Sequence, residues 1–191
     1  MSTPDSPTSS LLAYVFWHWP PASAATPAYE TDLLAFHASL ASRPPPDFVG
    51  SATLAVSGVP WLPSSRQGYE DWYLVRDWAA VGELNRDAVA PAHAPSHDRI
   101  AHEAEAGIGA LYALRAGDGE VGDAATWFAK PPGWSYAELD AALAGLLGEG
   151  LGLWRRQMVL GPAPEFCLRG HDLPALPPPL RGQPVSYRPL R

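Results

Sequence analysis

The sequence predicts an α+β fold: a ferredoxin-like antiparallel sheet with helices on one face, followed by a partial second β-α-β-β unit. Three observations carry this. Short runs dense in aromatic and β-branched residues alternate with stretches of helical apolar spacing. The first half reads β-α-β-β-α-β, the order of a ferredoxin-like unit. The succession strand, two prolines, capped helix, strand, strand then occurs again, with Pro20-Pro21 in the first half and Pro131-Pro132 in the second. The 191 residues are 47% hydrophobic, which suits one compact domain or two small fused ones.

The elements follow in order. Residues 1–10 are Ser/Thr/Pro-rich and are expected to be a disordered tail. Residues 11–19 (LLAYVFWHW) form the first strand, stopped by Pro20-Pro21. Thr26 precedes Pro27, a helix start, and Tyr29, Leu33, Phe36, His37 and Leu40 recur at helical spacing until three prolines end the run. Residues 48–57 and 69–76 read as strands around a loop with Trp61 at its centre. Asp77 caps a helix over 78–89. Ser96 is expected to cap a short helix over 97–106, with residues 108–115 as the fourth strand.

Residues 117–122 are an acidic glycine-rich turn and the internal boundary, so the first unit spans 11–117 and the second 123–170. In the second unit, 124–130 is a strand. Ser135 with Glu138 forms a capping box that opens the next helix, and 153–160 and 165–168 are strands. The Pro-rich tail, 171–191, is expected to lie over the surface.

Charge and composition exclude several functions. A net charge of −7 without a basic run argues against nucleic-acid binding. The single cysteine, Cys167, precludes an intrachain disulfide and fits a reducing compartment. No signal-peptide pattern and no apolar run of about 20 residues is present, so the expectation is a cytoplasmic protein without a membrane partner. One lysine amid abundant Ala, Gly and Pro fits a GC-rich bacterial genome.

The chemistry-bearing residues concentrate on two strands of opposite charge. One carries Glu70-Asp71 between aromatics, the other Arg155-Arg156 after Trp154. Burying a charge without a partner is costly, so the two strands are expected to pair their charges in or beside a core. Alternation groups His18, Glu70, Trp72, Arg155, Gln157 and Glu165 on one face. In that cleft His18 and Glu70 carry protons, Arg155 or Arg156 holds an anionic or carbonyl oxygen, and Trp72 is a wall. The same residues also suit an ion-pair cluster that locks strand register or a subunit interface.

Other features read more plainly. His93, His97 and His102 with Asp98 and Glu103 have poor spacing for a metal, because Pro95 interrupts them and five residues separate the last two histidines. Cys167 lies in an apolar strand, as buried free cysteines do. Trp61 and Trp134 sit in loops, where an indole marks a contact or a pocket lid. The glycines of 145–152 follow a helix rather than open one and form no phosphate loop.

The element order, with Tyr14-Val15-Phe16-Trp17-His18 as first strand and Glu70-Asp71-Trp72-Tyr73 in the third, resembles the dimeric α+β barrel superfamily. That group includes small monooxygenases of antibiotic biosynthesis, EthD-like and NIPSNAP-like proteins, and chlorite-dismutase-like haem proteins. The resemblance covers residues 11–170 and implies a small-molecule-binding domain or a cofactor-independent enzyme, with a homo-oligomer allowed. It also implies His18 as a haem ligand in one branch. The sequence names no cofactor. The alternatives are a non-catalytic structural or oligomeric interaction protein and a haem or metal protein.

Overall fold

The computed structural model describes residues 11–24, 26–63 and 67–191; the tail expected over 1–10 lies outside them. The elements are β1 (Leu12–Trp19), α1 (Thr26–Ser42), β2 (Phe48–Val56), β3 (Gly68–Val75), α2 (Trp78–Asp87), α3 (Ala94–Glu103) and β4 (Ala106–Gly117). They continue with β5 (Ala124–Phe128), α4 (Tyr136–Leu143), β6 (Gly152–Arg156), β7 (Phe166–Gly170), β8 (Gly182–Ser186) and β9 (Arg188–Pro189). The strands form one antiparallel sheet in the order β8-β5-β7-β6-β4-β1-β3-β2-β9. β8 and β9 are the two edges of this sheet, yet only Tyr187 separates them in the chain. The edges therefore meet and the sheet curls into a nearly closed barrel.

Alternation along β1 distributes the apolar residues to two layers. Val15 and Trp17 point into the barrel, where Trp61, Trp72, Tyr112, Trp127, Trp154 and Tyr187 join them. Leu12 and the rings of Tyr14 and Phe16 belong to the outer layer, where β1–β3 pack against Tyr29, Leu33, Phe36 and Leu40 of α1 and against α2 and α3. A separate outer cluster puts Leu139 and Leu143 of α4 on Phe128, Leu153, Phe166 and Leu168. β3 is covered on both faces, which explains why its residues are almost all buried. Each of these large apolar side chains contributes about 1.5–3 kcal/mol by leaving water.

Three expectations are corrected. The third helix begins at Ala94, three residues before the expected start, because Pro95 sits in its first turn, where proline's missing N–H is not needed. His93 rather than Ser96 is its N-cap, and it offers no side-chain cap. β6 stops at Arg156; Met158 adopts φ +52° and Met158, Val159 and Leu160 are exposed, so the apolar run after Arg156 is a turn at the surface. The Pro-rich tail does not merely cover the surface. Val185 and Tyr187 are buried in the barrel, and β8 pairs with β5 while β9 pairs with β2. Prolines are tolerated there because edge strands leave alternate N–H groups unused.

Deleting residues 182–191 is expected to leave β5 and β2 with open edges and to drive self-association. Light scattering of the truncated protein should then report more than one chain mass. A monomeric truncation with an unchanged unfolding midpoint would remove β8 and β9 from the closing role.

Candidate functional site

The register of β3 separates its two adjacent acids. Trp17 of β1 pairs with Glu70, and Phe16 with Asp71. Glu70 thus points into the barrel with Trp17, and Asp71 points out beneath the helices.

Inside, Glu70 is fully buried and fully bonded. Trp17 Nε1 donates to its Oε2 at 2.6 Å and Trp72 Nε1 to its Oε1 at 2.7 Å. Tyr187 Oη donates at 3.0 Å, and Arg169 Nη1 of β7 donates at 2.5 Å. The Arg169 guanidinium lies over the rings of Trp72 (4.7 Å) and Tyr187 (4.4 Å), and its Nε donates to the Gly122 carbonyl. Four donors on one carboxylate offset the cost of taking it out of water. Burial pushes the neighbouring Cys167 thiol up, so it is an inert protonated side chain.

Outside, Asp71 lies at the floor of a pocket of about 360 Å³ between the sheet and α1–α3. Tyr14, Phe16, Tyr29, Phe36 and Tyr73 form most of its walls, with Leu33, Leu84 and Ile100 above. The rings of Tyr14 and Phe16 are near parallel, 6.1 Å apart, and Phe16 stacks on His18 at 5.3 Å. Two glycines of β4 make this possible. A Cβ at Gly107 would stand 2.2 Å from Phe16, and one at Gly109 would stand 2.7 Å from Tyr14.

The polar part of the pocket is a chain of side chains centred on Asp71. His18 Nε2 is 3.1 Å from Asp71 Oδ2, and Tyr73 Oη donates to the same oxygen at 2.9 Å. The other His18 nitrogen, Nδ1, is 2.5 Å from the Tyr29 hydroxyl. His37 Nε2 of α1 lies 3.4 Å from Asp71 Oδ1, an ion-pair contact without hydrogen-bond alignment, so this buried oxygen has no hydrogen-bond donor. His37 Nδ1 meets Ser51 Oγ at 2.7 Å.

Burial alone would raise the Asp71 carboxyl, but the imidazoles of His18 and His37 outweigh it and hold it well below the usual carboxylate range. Burial, reinforced by Asp71, pushes the Tyr29 and Tyr73 hydroxyls up, so both are donors at neutral pH. Asp71 orients His18 much as a buried carboxylate orients an imidazole in a catalytic triad: with Nε2–H donating to Asp71, Nδ1 is the nitrogen that accepts from the Tyr29 hydroxyl.

The chain matches no family model and no curated protein sequence. Its fold has solved counterparts. A candidate monooxygenase from Fusobacterium nucleatum superposes with TM-score 0.65 at 11% identity, covering 96% of this chain and 94% of that one. The fold is that of the dimeric α+β barrel. An anthrone oxidase-like protein aligns with TM-score 0.50 at 13% identity over 96% of this chain and 92% of its own. SnoaB of Streptomyces nogalater, a cofactor-independent oxygenase solved as a mutant, matches 58% of this chain and 98% of its own, with TM-score 0.42 and 16% identity.

In this barrel the residues singled out from sequence do not gather on one face. His18 is in the outer pocket, whereas Glu70 and Trp72 are inside the barrel. Their separation follows from the pairing of β1 with β3, which opposes Trp17, not His18, to Glu70. Arg155 bonds Glu165 at 3.2 Å and the Tyr136 hydroxyl on the far outer face, beside α4. Arg156 donates to the carbonyls of Gly161 and Ala163, and Gln157 to that of Arg155. Glu70 finds its arginine on β7 instead. Arg169 was missed because the expected strand ended at 168; extending the Cys167 side by two residues places Arg169 on the inward face.

Asp71, Tyr29, Tyr73 and His37 were also missed as site residues, since only the fold shows that the α1 stripe lies over the Asp71 face of β3. His93 is buried against Ser39, His97 lines the pocket and contacts Asp98, and His102 is exposed. Among the described residues no group of three or more His, Cys, Asp or Glu side chains is placed to hold a metal ion. Both ring nitrogens of His18 are engaged, Nε2 by Asp71 and Nδ1 by Tyr29.

Arg169→Met is expected to lose about 3–5 kcal/mol of stability, because Glu70 stays buried without its cation. Combining it with Glu70→Gln should recover much of that loss; additive losses in urea unfolding of the two single variants and the double would show that the pair is uncoupled. Asp71 yields a pH prediction. A carboxyl held lower in the folded chain than its unfolded value of about 3.9 stabilises the fold above that value, and the contribution fades as pH falls towards the folded value. Unfolding curves from pH 7 to 3 should fall steeply below about pH 4 for the native chain and less steeply for Asp71→Asn; parallel curves would contradict the depressed carboxyl.

Proposed function

We propose that the outer pocket binds a small, largely aromatic molecule and that the His18–Asp71 dyad removes a proton from it, making the protein a cofactor-independent enzyme. The observation that carries this is the buried carboxylate–imidazole dyad at the floor of an aromatic-walled pocket of about 360 Å³. An apolar enclosure around an oriented imidazole is an arrangement suited to moving a proton. Tyr29 stands on His18 Nδ1, so a substrate hydroxyl either displaces it or passes its proton through it.

Removal of an O–H or an activated C–H proton leaves an electron-rich anion, which the pocket's apolar walls shield from water. That anion is the species a cofactor-independent oxygenase needs, since only an electron-rich substrate transfers an electron to molecular oxygen unaided. The fold shared with a candidate monooxygenase supports this reading at the level of architecture.

We also read the barrel as a ferredoxin-like unit over 11–117 joined to a second copy that begins at 123. The order β8-β5-β7-β6 parallels β4-β1-β3-β2 position by position, which supports it. The chain supplies its own closing strands, so a homo-oligomer would use a surface other than the sheet edges. No described helix is long and apolar enough to cross a membrane; a cytoplasmic location remains part of the proposal.

A panel of planar phenols tests the site by quenching of intrinsic tryptophan fluorescence. Ala88→Trp, at the α2 wall, is expected to abolish binding, while His18→Ala keeps binding within a few-fold and lowers turnover, followed as substrate consumption and oxygen uptake, by about 10²–10⁴. Binding undiminished by Ala88→Trp would place the ligand elsewhere, and full turnover by His18→Ala would remove the dyad from the chemistry.

A further inference from the structure

We propose that His37 carries the proton that balances Asp71, so that His18 stays neutral and its Nδ1 remains a base. The inference rests on the proposed function for its consequence, but not for its test. Asp71 sits between two imidazoles, one against each oxygen: His18 on Oδ2 at 3.1 Å and His37 on Oδ1 at 3.4 Å. Asp71 is 1% exposed and His18 2% exposed, so an unbalanced carboxylate there is costly and an imidazolium beside it offsets that cost. A second imidazolium would leave the cluster with excess positive charge in an apolar pocket. The two histidines therefore share one proton, and their surroundings decide which one holds it.

The hydrogen-bond inventory favours His37. If His18 were doubly protonated, its Nδ1–H would donate to the Tyr29 oxygen at 2.5 Å. The Tyr29 hydroxyl proton would then need another acceptor, and among the described residues Tyr29 has no other hydrogen-bond partner, being 0% exposed. With His18 neutral, Nε2–H donates to Asp71, Nδ1 accepts from Tyr29, and nothing is orphaned. His37 meets no such conflict. Its Nδ1–H donates to Ser51 Oγ, and Ser51 is half-buried, so its own hydroxyl proton can reach water. The positive charge also falls beside Asp71 Oδ1, the buried oxygen without a hydrogen-bond donor.

The other ionisable groups facing the cluster are Tyr14 of β1, Tyr69 and Tyr73 of β3, Tyr29 of α1, and Glu103 and His97 of α3. Of these, Glu103 acts on Tyr29 and adds to what raises its hydroxyl, so Tyr29 stays a donor. Burial and then Asp71 push the Tyr14 hydroxyl up, as they do for Tyr29 and Tyr73, so these three stay neutral; for Tyr69 burial and Glu30 do the same. His97 is turned to Asp98, outside the chain of contacts. α2 brings only Val81, Leu84, Asn85, Ala88 and Val89 to the pocket. His37 is thus a positioning residue: it does not line the pocket and acts by keeping the proton off His18.

The test reads ring-nitrogen chemical shifts of the full chain labelled with ¹⁵N-histidine, without substrate. At pH 7 His37 is expected to show two protonated nitrogens, and His18 one protonated Nε2 and one bare Nδ1. In His37→Gln the proton has no second imidazole to occupy, so His18 should become doubly protonated. Ser51→Ala, a milder variant that tests the same point should His37→Gln not fold, should move His18 in the same direction by a smaller fraction. A doubly protonated His18 in the native chain, or a His18 still neutral in a folded His37→Gln, overturns the inference; for Ser51→Ala an unchanged His18 does so. In a turnover assay His37→Gln should lose about tenfold at pH 7, with ligand affinity unchanged, and recover as pH rises. The expected nitrogen shifts without any turnover would leave this inference standing and remove the enzymatic reading, so the two fail separately.

Discussion

Glu70 and Arg169 meet at 2.5 Å in the middle of the barrel, and the rest of the molecule is arranged around that contact. Neither side chain has any exposure to solvent, so each is tolerable only with the other in place. Glu70 lies on β3 and Arg169 on β7, strands from the two halves of the chain. Indoles from β1 and β3 and the Tyr187 hydroxyl between β8 and β9 complete the carboxylate's shell. The ion pair thereby ties both halves and the closing strands to a single register.

That register has a consequence on the other side of the sheet. Side chains alternate along a strand, so a slip of one residue would exchange the faces of Glu70 and Asp71. Asp71 is available to His18, Tyr73 and His37 because Glu70 is committed to Arg169. The structural cluster and the candidate site are therefore two faces of the same two-residue acidic step. The interior acid is saturated with donors and holds the barrel. The outer acid is left with two imidazoles, one poorly bonded oxygen and an aromatic enclosure beside it.

The two halves of the barrel differ in what lies under their helices. In the first, α1, α2 and α3 stand over aromatic rings and leave a pocket. In the second, α4 packs Leu139 and Leu143 directly onto Phe128, Leu153 and Phe166, and the polar groups at the edge are paired off, Arg115 with Asp140 and Arg155 with Glu165. The same strand order supports a pocket on one side and a packed apolar layer on the other, because side-chain volume rather than topology decides whether space remains.

Much of this was legible in the residues themselves. Local rules act through near neighbours: Thr26-Pro27 starts a helix, Asp77 caps the next, and Ser135 with Glu138 closes a capping box, each as the structure has it. Alternation also assigned Glu70 and Asp71 to opposite faces and suggested that a buried acid would find an arginine. The sequence could not say which arginine, since Arg155, Arg156 and Arg169 all follow strand-like runs and only the pairing of β6 with β4 and β7 turns Arg169 inward. Nor could it show that residues 182–189 close the sheet, because prolines there mimic a loose tail, or that the α1 stripe brings His37 to Asp71, 34 positions away. Local chemistry determined the elements and their faces. Long-range strand pairing decided which charges meet, and hence where a site lies, because that choice depends on burial energies that no single segment carries.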